Sequence, residues 1–185
     1  MRSTWSLVVC FAAAVSGCGM SGEEHERDVA AGHAAQAQHN HSGYVSHQTR
    51  EIKALSADEV EGYLSGAGLG MALPAELNSY PGPRHVLELA DSLGLNQEQV
   101  VEVRRIFDSM ESQAIDLGVQ IVELEGQLDL EFAERSITPA RLTSFTDKIA
   151  GLQGRLRAVH LQAHLEVTAA LTLEQRQTYD RLRGY

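Results

Sequence analysis

Cysteine is nearly missing from this chain. Of its 185 residues only Cys10 and Cys18 carry a thiol, and both lie within the first eighteen. With Cys10 expected to leave in a cleaved leader, no intrachain disulfide can form and no thiolate metal site can assemble within one chain. The fold must hold by its core alone. Long apolar runs are missing beyond residue 15, so no later segment is expected to cross a bilayer, which takes about 20 apolar residues. Period-two alternation is nowhere sustained, which argues against strands. Enzyme signatures are missing as well. No HExxH, no nucleophile elbow and no paired carboxylates placed to share a cleft occur, and catalysis is not expected. Basic residues are in deficit, 15 against 25 acidic ones, for a net charge of -10 with neutral His. Such a surface repels nucleic acid and favours cations or basic partners.

What is present begins with a leader. Arg2 supplies a positive start, Leu7 to Val15 is apolar, and Ser16, Gly17 and Cys18 follow. This run is too short to span a membrane and has the proportions of a signal peptide. The string VSGC resembles a lipobox, with Val15 where Leu is usual, which implies lipid on Cys18. Gly19 in place of Asp implies delivery to the outer membrane of a Gram-negative cell. The expected organisation is a signal peptide over 1–17 and a lipidated tether over 18–48. A short helix with a Gly/Pro-rich linker follows over 49–80, then a helical domain over 81–185. The tether has almost no large apolar residue, which predicts disorder. It carries His25, His33, His39, His41 and His47, five of the eight histidines, and such tracts bind metal loosely.

Helix signals dominate the rest. Ser56 and Glu59 form a capping box for a short helix ending near Leu64. The glycines at 66, 68 and 70 then break it. GAGLG lacks the strand, helix and acidic partner of a dinucleotide site. Pro83 opens a helix over about 84–92. Asn96 with Gln99 caps a long helix reaching about Glu134, with apolar residues at spacings of three and four from Val100 to Phe132. Thr138-Pro139 starts a second long helix to about Ala170, striped by Leu142, Phe145, Ile149, Leu152, Leu156, Val159, Ala163 and Val167. Thr172 with Gln175 caps a last helix. The expected fold is all-α: a long antiparallel helical hairpin with short flanking helices, forming a homodimer.

Two stretches match each other. Leu95-Asn96-Gln97-Glu98-Gln99 precedes the first long helix, and Leu171-Thr172-Leu173-Glu174-Gln175 precedes the last. Physically each is a capping box with an apolar residue before the cap. The second also resembles the LTxxQ motif, and the first a variant with Asn for Thr. With the helix order and the exported start, residues 81–185 resemble the CpxP/Spy superfamily of periplasmic proteins. The resemblance implies a curved, dimeric helical hairpin. It implies either unfolded clients, as in the chaperone members, or a divalent cation and an envelope signalling partner, as in the sensor members. The chaperones are usually basic on their binding face, and this chain is acidic.

His160 and His164 are one turn apart and continue the i, i+4 series of Leu152 and Leu156. Neutral imidazoles so placed suit Zn, Ni, Co or Cu, and the alternative is a pair of interface histidines held by carboxylates. A full site needs three or four ligands. His85 is the only other histidine in the expected folded part. Glu102 lies near the start of the first long helix, opposite the His pair in an antiparallel hairpin, with Glu98 and Glu166 as weaker substitutes. The sensor relatives use a similar arrangement, with Met often in the last position, where this chain has His164. The expected metal ligands are therefore His85, Glu102, His160 and His164. The expected function is divalent-metal sensing or buffering on the periplasmic side of the envelope, and the alternative is a metal-independent chaperone.

Overall fold

The computed structural model describes residues 44–185. The expected leader, Cys18 and the tail histidines from His25 to His41 lie outside the described residues. Among the described residues, a 3-10 turn at Val45–His47 is followed by six helices. They are α1 (Ala57–Leu64), α2 (Leu73–Glu76), α3 (Pro83–Glu88), α4 (Gln97–Ala133), α5 (Pro139–Ala170) and α6 (Leu173–Arg183). Among the described residues there is no strand.

The caps do what their residue types dictate. The Ser56, Asn96 and Thr172 side chains each accept the backbone N–H three residues on, and Glu59, Gln99 and Gln175 each reach back to the cap N–H. Thr138 accepts from Arg141 N, with Pro139 in the first turn of α5. These pairings satisfy N–H groups that a helix start leaves open. The two matching boxes also meet each other. The Gln99 amide donates to Gln175 Oε1 at 2.9 Å and to the Ala170 carbonyl at 3.0 Å, and Gln175 returns a bond to Gln99 Oε1 at 3.1 Å. The start of α4 is thereby fastened to the α5–α6 junction.

Two elements differ from the expectation. The helix expected over 84–92 stops at Glu88. Beyond it, Ala90 N bonds Leu87 O and Leu93 N bonds Leu89 O, so the chain runs on as turns and Leu93 is buried in the same core as Val86. Inside the segment read as a linker, Leu73–Glu76 forms one helical turn with Pro74 at its start. Proline pre-sets the backbone angle a first turn needs.

Helices α4 and α5 pack along one another. Their shared face divides into two apolar clusters. One gathers Val86, Val103, Ile106, Val167 and Tyr179, and the other Tyr63, Ala114, Ile121, Leu152 and Leu156. Val103, Ile121 and Val167 are wholly buried, each contributing about 1.5–3 kcal/mol from removal of apolar surface from water. Helix α1 lies against α4 where Gly118 stands. A Cβ at Gly118 would fall inside van der Waals contact of the Tyr63 carbonyl, so the close approach depends on glycine. On α5, His160 falls between Leu156 of one cluster and Ala163 of the other.

Candidate metal centre

The apolar period of α5 carries His160 and His164 inward. They are 3% and 7% exposed, continuing the face of Leu152 and Leu156 as their spacing predicts. The glycine-rich segment after α1, with α2 and the start of α3, covers them and leaves a cavity of about 340 Å³. Its wall includes Glu76, Arg84, His85, His160, His164 and Arg183.

Each imidazole has a distinct environment. His164 Nδ1 stands 2.7 Å from the Tyr80 carbonyl oxygen. A carbonyl only accepts, so Nδ1–H donates and Nε2 keeps the ring's lone pair. That is the tautomer, and the outer support, that metal-binding histidines take. His160 Nε2 is buried without a hydrogen-bond partner. Burial holds this ring's pKa below the ordinary histidine value, and the neighbouring His164 and Arg84 push the same way. His85 is half-buried on α3, its Nδ1 2.8 Å from Glu88 Oε2.

Glu76 is the residue that sequence reasoning missed. It is 7% exposed, and its two oxygens differ. Oε1 accepts from Tyr179 Oη at 2.5 Å and Tyr185 Oη at 3.2 Å, and lies 3.4 Å from Arg183 Nε. Oε2 is buried with no hydrogen-bond partner and lies 3.7 Å from His164 Nδ1. Burial, then the bond to Glu76, pushes the Tyr179 pKa well above its ordinary value, so Tyr179 stays a donor. One signal was legible: Glu76 is the only acidic residue between Glu61 and Glu88.

Gly82 bounds the space between these groups. A Cβ there would stand 3.2 Å from His164 Nε2 and 3.3 Å from Glu76 Oε2. Glycine therefore leaves open a small volume bordered by the edge of the His164 ring, with Cε1 nearest at 3.0 Å, and by the unpartnered carboxylate oxygen.

The four expected ligands are distributed unequally. His85, His160 and His164 share the cavity wall. Glu102 is not among the residues lining it. It is half-exposed on α4 and takes two hydrogen bonds from Arg105, which also approaches Glu166 at 3.8 Å. The bond from Arg105 holds its carboxyl below the usual carboxylate range. Its neighbour Val103 takes the inward position, and adjacent helical residues point about 100° apart. Among the described residues, no three His, Cys, Asp or Glu side chains stand together as a ready metal cluster. The donors that face the cavity are imidazole nitrogen and carboxylate oxygen, a set suited to borderline divalent ions.

No family model matches this chain, and neither a characterised protein nor a solved structure matches it.

Proposed function

We propose that this protein binds a divalent transition-metal ion in the cavity beside Gly82. His164 Nε2, Glu76 Oε2 and His160 are the ligands, with His85 at the rim. The observation that carries the reading is Glu76 Oε2, a carboxylate oxygen buried without a partner, which borders the same small space beside Gly82 as the His164 ring. A buried oxygen left unpaired costs about 1–3 kcal/mol, which an ion would offset. Ligand distances of about 2.1 Å require side-chain rotation, and the cavity leaves room for it. Glu76 takes the place that the sequence spacing suggested for Glu102.

The wider reading keeps to the expected biology. The protein is an exported lipoprotein, anchored by Cys18 on the periplasmic side of the outer membrane, that senses or buffers metal. The long helices form an antiparallel hairpin, and the hairpin dimerises. Fastening of α4's start to α5's end, and of Glu131 to Arg141 at the other ends, supports the hairpin. A metal-independent chaperone is the second reading. It is favoured by Leu130 and Phe132, 55% and 54% exposed near the end of α4, which offer apolar surface to a client.

Titration calorimetry with zinc, nickel, cobalt and copper tests the site. The chain should be used with its five tail histidines changed to Gln, so that loose binding does not mask it. His164→Ala and Glu76→Gln should each weaken the tightest ion at least about tenfold, the usual scale for losing a site residue. Unchanged affinity in both variants would end the metal reading. Full suppression of client aggregation with metal chelated would favour the chaperone.

A further inference from the structure

We infer that the same cavity also receives a small organic carboxylate, gripped by Arg84 and Arg183. The inference shares its cavity with the metal reading, but size and charge at the rim carry it. A bound water occupies about 30 Å³, so one ion with a water or two uses a small part of a 340 Å³ cavity. Cavities from about 300 Å³ upward hold small organic molecules.

The charge of the wall points to the sign of the occupant. The whole chain is at -10, yet two arginines line this cavity and, among the described residues, Glu76 is its one acidic wall residue. Glu76 Oε1 is already occupied by Tyr179, Tyr185 and Arg183. Among the described residues, Arg84 has no acidic partner of that kind. It is exposed, with Cζ 5.6 Å from the Phe107 ring centroid. A guanidinium fork with free donors matches a carboxylate in two parallel hydrogen bonds.

The remaining wall distinguishes an organic anion from an inorganic one. Leu69, Leu73 and Met110 line the same cavity and offer apolar contact to a carbon skeleton. A doubly charged phosphate would add repulsion from Glu76, whereas a monocarboxylate carries one charge and an apolar body.

Calorimetry on the full chain with its five tail histidines changed to Gln, using benzoate, its neutral isostere benzamide and inorganic phosphate, tests this, each with and without zinc. Benzoate should bind at least about tenfold more tightly than benzamide or phosphate, the scale of a charge-assisted hydrogen bond. Arg84→Gln should weaken benzoate by a similar factor without weakening zinc. Arg84 is exposed, so the variant should keep the wild-type circular dichroism spectrum. Equal affinity for benzoate and benzamide, preference for phosphate, or an Arg84→Gln variant that binds benzoate as before would overturn the proposal. Zinc binding without benzoate binding overturns this inference alone. Benzoate binding without zinc binding overturns the metal reading alone.

Discussion

At Glu76 one carboxylate oxygen has three neighbours offering hydrogen and the other has none. The engaged oxygen holds the free one beside Gly82, so that an ion would require only the side-chain rotation that brings the donors to ligand distance. This makes Gly82 as informative as the proposed ligands. Its backbone angles suit any residue, with φ -83° and ψ 142°, so Gly82→Ala adds a methyl without backbone strain. That methyl enters the space between His164 and Glu76, and zinc affinity should fall by about tenfold or more. Calorimetry that finds wild-type affinity would place the ion elsewhere. A different residue adds a pH dependence away from the cavity. Burial raises the Glu125 pKa, and the ionised carboxylate beside Tyr63 is the disfavoured form. Its contribution is favourable below the unfolded value of about 4.3 and is lost as pH rises through the folded one. Glu125→Gln should therefore stabilise the protein at pH 7 and give no gain at pH 4. Urea denaturation at both values checks this, and an equal gain at pH 4 would rule out ionisation as the cause.

Among the elements, the two capping boxes act as one device. Each closes its own helix start with local bonds, and the same two glutamines then bond each other across 76 residues of sequence. The boxes were legible because capping is a matter of residue type at fixed offsets. Their union was not, because it depends on α5 returning the chain to the start of α4. Gln99→Ala and Gln175→Ala should each destabilise the protein, and the double variant should cost less than their sum. The coupling should be about 1 kcal/mol, the scale of one net hydrogen bond between contacting residues. A double-mutant cycle by chemical denaturation reads it directly, and strict additivity would mean that the two amides do not interact in solution. The missed turn of α2 has the opposite origin. A four-residue helix has too little period to be seen in sequence, and it persists through the burial of Ala75 and Glu76 and the bond from Tyr179 to Glu76.

For the whole molecule, the cavity sits where the covering segment of α2 and α3 meets the long helices. An ion held by Glu76, His160 and His164 would tie these elements together. Binding to the folded state alone raises stability by an amount set by the excess of metal over Kd, about 2.7 kcal/mol at a hundredfold excess. In the chain lacking tail histidines, zinc should therefore raise the melting temperature, and a chelator should reverse the rise. Glu76→Gln should lose most of that response. A zinc-independent melting temperature would show that no ion binds the folded state in preference to the unfolded one.

The sequence by itself determined which stretches become the long helices and which faces they bury. Period and capping are local properties, and Ser56, Asn96, Thr138 and Thr172 cap as their residue types require. It also determined that His160 and His164 point inward, because they share the period of Leu152 and Leu156. Only the tertiary structure decided which carboxylate joins them. Spacing on α4 suggested Glu102, but a helix position names a height along the axis and leaves the rotation about it to packing. Val103 took the buried direction, and Glu102 was left to Arg105 at the surface. Glu76 reached the cavity instead because α2 folds over α5, where Tyr179 and Tyr185 from the far end of the chain hold it. No local pattern encodes a contact between residues 103 and 109 positions apart.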